Sequence, residues 1–112
     1  MIIKFENKKI NIPIKKVSSF GKISGLMFKK KETKNLLFEF EKETNMKIHS
    51  FFVFFPFLAI WTNKKNEVIH FKFVKPFNPR IKSKKSFQKL VEVPLNSKNK
   101  KIISYFVGKR KV

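Results

Sequence analysis

The strongest constraint on the fold is an apolar run of eleven residues, 51–61, that no charged or polar side chain interrupts. The run is too short to cross a membrane as a helix, which takes about 20 apolar residues. Pro56 separates two predicted strands that include most of this run, 48–54 and 57–62, because proline cannot donate to a strand's hydrogen-bond ladder. Continuous apolarity is typical of strands covered on both faces, so the run predicts two buried strands of a sandwich or a closed barrel.

Short strand patterns recur along the rest of the chain, separated by turn-forming residues. Apolar residues alternate with other residues at 10–14 and again at 67–74, after a hairpin turn at 63–66. Further strands are predicted at 36–40, 90–93 and 105–107, and short helices at 18–24 and 97–103. The expected fold class is mainly β: a small antiparallel β-barrel or jelly-roll-like sandwich with one or two short helices. It forms a single domain over residues 1–112.

The charge of the chain is strongly one-sided. Lys and Arg number 27 against seven Glu, Asp and Cys are absent, and the formal net charge is +20. These counts exclude a disulfide scaffold, a cysteine zinc site, a thiol nucleophile and any site that needs aspartate. A surface this basic attracts RNA, DNA or anionic lipid. The alternative is a coat of lysines that keeps a Phe-rich protein soluble or reflects genome composition, and the sequence leaves both open.

The N-terminal residues lack the pattern of a targeting signal. Lys4 interrupts the first apolar residues, so no stretch of signal-peptide length develops. With no cysteine and no transmembrane segment, the sequence predicts a cytoplasmic protein. A membrane surface is the less favoured partner.

A series of short motifs, in a characteristic order, points to a known family. The motifs are GLMFK at 25–29, LLFEF at 36–40, IHSFFVFFPF at 48–57, WTN at 61–63, KPF at 75–77, LVEVP at 90–94 and a late Gly108. In their order and spacing the chain resembles the domain of unknown function 192 family (uncharacterised protein family 0127), over residues 17–109. The resemblance implies a compact barrel-like or jelly-roll-like β domain and implies no activity. The chain departs from the family pattern at Phe54, Leu58 and Lys109, where relatives carry polar or acidic residues.

Lysine and arginine residues cluster at predicted turns and termini, which makes them candidates for anion binding. Phosphate contacts need only point charges, and the presence of just two arginines favours sequence-independent contact with a polymer backbone. The candidates are Lys29, Lys30, Lys31, Lys64, Lys65, Arg80, Lys82, Lys84, Lys85, Lys98, Lys100, Lys101, Lys109, Arg110 and Lys111.

A second hypothesis places a cleft at His49, Ser50, Trp61 and His70, the residues with most chemical potential. Two histidines with Glu92 or Glu67 form a conceivable zinc set, but no His-x-His or His-x-x-x-His spacing supports it. His49 and Ser50 are adjacent, so on a strand they point to opposite faces and do not form a nucleophile–base pair. The sequence therefore predicts no catalytic residues, no metal and no cofactor.

Three functions remain open at this point. The favoured one is a non-enzymatic binding module that contacts an anionic polymer such as RNA or a ribonucleoprotein, because the chain carries +20 on 112 residues. The alternatives are a small-ligand-binding or hydrolytic β-barrel with a cleft near His49 and His70, and a structural subunit whose apolar surface is covered by a partner. The sequence does not determine the oligomeric state.

Overall fold

Seven strands and one short helix form the part of the chain that the computed structural model describes, residues 1–17, 29–48, 53–78 and 81–109. The strands are β1 (Ile2–Phe5), β2 (Lys8–Asn11), β3 (Lys15–Lys16), β4 (Leu36–Thr44), β5 (Phe57–Thr62), β6 (Val68–Val74) and β7 (Phe87–Pro94). A 3-10 turn (Ser97–Asn99) then leads into helix α1 (Lys100–Ser104). The helix expected at 18–24 lies outside the described residues.

The strands form two sheets. β3, β4, β7, β5 and β6 lie side by side in that order in a five-stranded sheet, while β1 and β2 form a separate hairpin. Only the short β3–β4 pair is parallel among the pairings of the described strands. The mainly β, sandwich-like class is therefore confirmed. The barrel alternative is not, because the sheets do not close on themselves.

Side chains from alternate positions of the central strands build a core on each face of the large sheet. All six residues of β5 are buried, which confirms that this part of the apolar run is covered on both sides. Phe57, Ala59 and Trp61 point into one cluster, whereas Leu58 and Ile60 point into the other. The β1–β2 hairpin and the C-terminal helix cover the second face, so a sandwich arises without a second large sheet.

One expected strand, at 105–107, is absent, and another, at 48–54, lies largely outside the described residues. The segment expected at 105–107 continues the helix as a turn, with Phe106 N–H donating to the carbonyl of Ile103 at 2.9 Å. Phe106 is fully buried in the second core cluster, and this anchoring fixes the turn against the sheet. Of the strand expected at 48–54, Ile48 forms an isolated bridge with Ile81, residues 53–54 are not strand, and residues 49–52 lie outside the described residues.

The hairpin turn at 63–66, by contrast, is confirmed, and it positions β6 beside β5. Asn63 organises it, since its Oδ1 accepts from the N–H groups of Lys65 at 2.9 Å and Glu67 at 3.0 Å. Asn66 takes a left-handed conformation with φ of 66°, which asparagine tolerates better than most residues. The turn residues thus act through side-chain-to-backbone bonds typical of Asx turns.

Candidate anion-binding groove

A groove of about 590 Å³ runs along β6, the last strand of the five-stranded sheet. β6 pairs with β5 through a register that sets Trp61 opposite His70 and Ile60 opposite Phe71. On the other side of β6, the β1–β2 hairpin comes close only at the start of the strand. There, among the described residues, the backbone of Lys4 forms an isolated parallel β-bridge with the backbone of Glu67. The edge strand and the end of β1 therefore line a concave surface that faces solvent.

Three half-buried phenylalanines line the groove: Phe5, Phe71 and Phe73. Phe5 and Phe71 meet edge to face with ring centroids 5.5 Å apart, and Phe71 and Phe73 do so at 6.4 Å. Behind them, Phe106 stacks on Phe5 at 4.7 Å. The rings are held in place by this packing, so their partly exposed surface is a rigid apolar floor.

The described charged residues that line the groove are all lysines. Lys72, Lys84 and Lys109 line it, and no acidic residue does so within the described part of the chain. Lys109 pairs with the Glu6 carboxylate at 3.2 Å, an exposed pair that contributes little to stability. Lys72 and Lys84 make no ion pair among the described residues, so both charges are available to an anion.

His70 lies in the same groove and stacks on the buried Trp61 ring with centroids 5.3 Å apart. Desolvation lowers the pKa of His70, and the positive charges of Lys84 and Lys72 lower it further. The imidazole is therefore neutral at pH 7, and it offers one hydrogen-bond donor and one acceptor instead of a fourth charge.

The structure brings only some of the sequence-predicted residues together. Lys84, Lys109 and His70 line the groove, whereas Trp61 is completely buried and supports His70 from behind. The remaining described lysines of the predicted set are exposed on other turns and on α1: Lys29, Lys30, Lys31, Lys64, Lys65, Lys82, Lys85, Lys98, Lys100 and Lys101. His49, Ser50, Arg80, Arg110 and Lys111 lie outside the described residues.

Sequence reasoning missed Lys72 and the three phenylalanines as site residues. Period-two alternation along 67–74 did predict that Lys72 lies on the opposite face of its strand from Phe71 and Phe73. A groove that wraps around an edge strand collects residues from both faces. Only knowing that β6 lies at the edge could have joined them into one site.

The glutamates considered as metal ligands have other surroundings. Glu67 accepts a hydrogen bond from Asn63 at 2.8 Å within the hairpin turn. Glu92 lies in the central strand β7 between Leu36 and Ala59, where it is 6% exposed. Burial raises the pKa of its carboxyl to about 8. The described residues contain no cluster of three or more His or Glu side chains able to hold a metal ion.

Comparisons with known proteins show the fold of the chain but assign no activity. A protein of unknown function from Novosphingobium aromaticivorans matches it with a TM-score of 0.74, 10% identity and coverage of 90% of this chain and 75% of that chain. A Sinorhizobium meliloti protein named a "putative transcription regulator" matches with a TM-score of 0.74, 13% identity and coverage of 90% and 81%. At these identities the likeness extends to the fold alone.

Comparisons of the amino-acid sequence match a family model but no curated protein. A family model described as uncharacterized ACR matches residues 2–104. None of the curated proteins matches the chain significantly. No helix in the described ranges is long and apolar enough to span a membrane.

Proposed function

The chain belongs to the DUF192 family of uncharacterized proteins, and because that membership assigns no activity, we propose that it is a non-enzymatic module that binds single-stranded RNA along β6. The observation that carries the proposal is the groove itself, which combines three lysines with three half-buried phenylalanines and has no described acidic lining. Proteins that bind single strands combine a positive groove for the backbone with aromatic rings for the bases. We also propose that the protein is cytoplasmic, as the sequence predicts.

The chemistry of the groove favours backbone contact over base reading. Its charged groups are lysines, which act as point charges, and the groove has no described arginine that could form paired hydrogen bonds with a base. Neutral His70 adds a hydrogen-bonding group without adding charge. We therefore expect binding that depends on salt and tolerates different base sequences.

A charge-matched comparison tests whether binding depends on the groove or on the total charge. Fluorescence anisotropy with a labelled twelve-nucleotide oligouridine measures the affinity of the unaltered chain, of Lys72→Met with Lys84→Met, and of Lys42→Met with Lys47→Met. Lys42 lies on β4, which is separated from β6 by two strands of the sheet, β7 and β5, and Lys47 follows β4. Both double variants lower the charge by two, so only position distinguishes them.

We expect the groove variant to weaken binding at least tenfold and the control variant to weaken it less than threefold. Loss of two phosphate contacts should also reduce the slope of log affinity against log salt by about 1.4, at about 0.7 per contact for single strands. Equal losses in both variants would show that the lysines act as a uniform coat. No binding at 50 mM salt would refute the proposal altogether.

The contribution of the aromatic floor is tested separately with Phe71→Leu, since each base–aromatic stack is worth about 1–3 kcal/mol. Phe77→Leu is the matched control, because Phe77 is 54% exposed and does not line the groove. Weaker binding of oligouridine by Phe71→Leu alone supports stacking on the floor. Double-stranded RNA and single-stranded DNA in the same assay determine which nucleic acid is preferred.

A further inference from the structure

The two faces of β6 give the groove two chemically different sides. Phe71 and Phe73 pack, together with Phe5, against the second core cluster, so the aromatic floor belongs to that face of the sheet. His70 and Lys72 alternate with these phenylalanines along the strand and lie on the opposite face. A single strand laid along the groove therefore meets aromatic rings on one side and polar groups on the other.

The lysines determine which part of a bound strand lies on the polar side. Lys72 and Lys84 both line the groove, and both lie near His70. Burial lowers the pKa of His70, and the charges of Lys84 and Lys72 lower it further. Phosphates are attracted to lysines and bases stack on aromatic rings, so we expect the sugar–phosphate backbone on the side of His70 and the bases over the aromatic floor.

His70 is held on this side with both of its ring nitrogens available. Its imidazole stacks on the fully buried indole of Trp61, with centroids 5.3 Å apart and 22° between the ring planes. Neither ring nitrogen hydrogen-bonds to another described residue, and neither is closed off from solvent. The neutral imidazole therefore presents one donor and one acceptor to the groove.

A hydroxyl is the group of RNA that matches this arrangement. The sugars of a single strand lie between its phosphates and its bases, and ribose carries a 2′-hydroxyl that both donates and accepts. Phosphate oxygens only accept, so they suit the ammonium groups of Lys72 and Lys84 better than the acceptor nitrogen of an imidazole. We infer that His70 hydrogen-bonds to the ribose 2′-hydroxyl and thereby makes the groove select RNA over DNA. This role rests on the proposed function, RNA binding along β6.

Strands that differ only at the 2′ position of the sugar measure this selection. Fluorescence anisotropy compares labelled twelve-nucleotide strands of uridine, of 2′-deoxyuridine and of 2′-fluoro-2′-deoxyuridine, which have the same base and the same charge. The 2′-fluoro strand lacks the hydroxyl but keeps an RNA-like sugar pucker. One hydrogen bond between neutral groups corresponds to about threefold to tenfold in affinity, so we expect both analogues to bind more weakly than the uridine strand by that factor.

A pair of variants then assigns the selection to His70. His70→Phe keeps an aromatic ring beside Trp61 and removes both nitrogens, so it should bring the affinities for the uridine and 2′-fluoro strands within twofold of each other. Any stacking by the new ring acts on both strands alike. Lys72→Met with Lys84→Met is the control, which should weaken every strand and preserve their ratio. A ratio that persists in His70→Phe, or that the lysine variant loses equally, overturns the assignment.

The unaltered chain gives a second measurement that does not depend on the folding of a variant. At saturation, the ¹⁵N resonances of the His70 ring should shift further with the uridine strand than with the 2′-fluoro strand, because only the uridine strand supplies the hydroxyl. Equal shifts with the two strands would overturn the role of His70.

The uridine strand also distinguishes the RNA proposal from the role of His70. Absence of uridine-strand binding at 50 mM salt would refute the proposed function and the selection with it. Equal binding of the uridine and deoxyuridine strands would refute only the selection by His70, and β6 would remain a site for single strands with either sugar.

Discussion

Relative to the unaltered chain, the variant Glu92→Gln should gain stability as the pH rises. Glu92 lies in the middle of the central strand, its Oε1 has no hydrogen-bond partner in the described structure, and burial raises the pKa of the carboxyl from 4.5 to about 8. The folded state therefore keeps Glu92 protonated at neutral pH, whereas the unfolded chain releases the proton. Glutamine keeps the shape of the side chain and removes this difference.

The sign and the size of the effect of Glu92 on the free energy of unfolding follow from proton linkage. Below pH 4.5 both states hold the proton, so Glu92 has no effect on the pH dependence of stability. Between pH 4.5 and about 8 the unfolded state is favoured by about 1.4 kcal/mol per pH unit, and above pH 8 the loss levels off. At pH 7 the loss amounts to about 3 kcal/mol, a large share of the roughly 5–15 kcal/mol by which domains are stable.

Urea unfolding between pH 5 and pH 9, followed by tryptophan fluorescence, measures the effect. The free energy of unfolding of Glu92→Gln minus that of the unaltered chain should increase by about 3.5 kcal/mol from pH 5 to pH 8 and then level off. Any strain from the new amide group adds a constant that does not change with pH. Glu41→Gln, on the exposed side of β4, is the control and should show no such increase.

Repulsion among the lysines changes the free energy of unfolding of both chains equally, so it cancels from the difference between Glu92→Gln and the unaltered chain. A difference that stays constant from pH 5 to pH 8 would refute the reasoning. It would mean that Glu92 ionises in the folded state as it does in the unfolded state, and therefore that the carboxyl reaches water or a cation.

Other predictions concern the groove, the core and the side-chain hydrogen bonds between Asn35 and Asn99. Lys72→Met with Lys84→Met should raise the pKa of His70, measured by NMR titration of its ring proton, because both charges lower that pKa; an unchanged pKa would contradict the placement of these lysines. Oligouridine binding to the unaltered chain should raise the same pKa. Phe106→Ala should reduce the free energy of urea unfolding by about 3–5 kcal/mol, since the ring is fully buried, and a loss below 1 kcal/mol would contradict its anchoring role. Asn99→Ala should lower the free energy of unfolding by about 1–3 kcal/mol in the same assay, because it leaves the Asn35 side chain and the Pro94 carbonyl without this partner; no loss would show that the hydrogen bonds of Asn99 do not stabilise the fold.

Local sequence patterns correctly predicted the elements whose structure depends on residues close together in the sequence. Alternation and continuous apolarity predicted the strands that became β4, β5 and β6, and the asparagines at 63 and 66 predicted the hairpin turn. The C-terminal strand prediction was wrong, because Phe106 is fixed by a core that forms from distant residues. The β1–β2 hairpin depends on the same core, since Ile3 and Ile10 pack against it.

The candidate site, too, was predicted from the sequence only in part. Sequence reasoning named Lys84, Lys109 and His70, yet it named many other lysines with equal weight, because exposure on a turn does not say which turns meet. Glu92 was considered as a ligand, but its isolation within the sheet depends on two neighbours that are far away in sequence, Leu36 and Ala59.

The amino-acid sequence by itself determined that this is a phenylalanine-rich β protein with a cationic exterior and without thiol or aspartate chemistry. These properties follow from residue types and from spacing between near neighbours. Only the tertiary structure decided that β6 is an edge strand, that aromatic rings and lysines share a groove there, and that one carboxyl is enclosed in the core. Each depends on the order of strands in the sheet, which contacts between distant segments establish and no short stretch of sequence encodes.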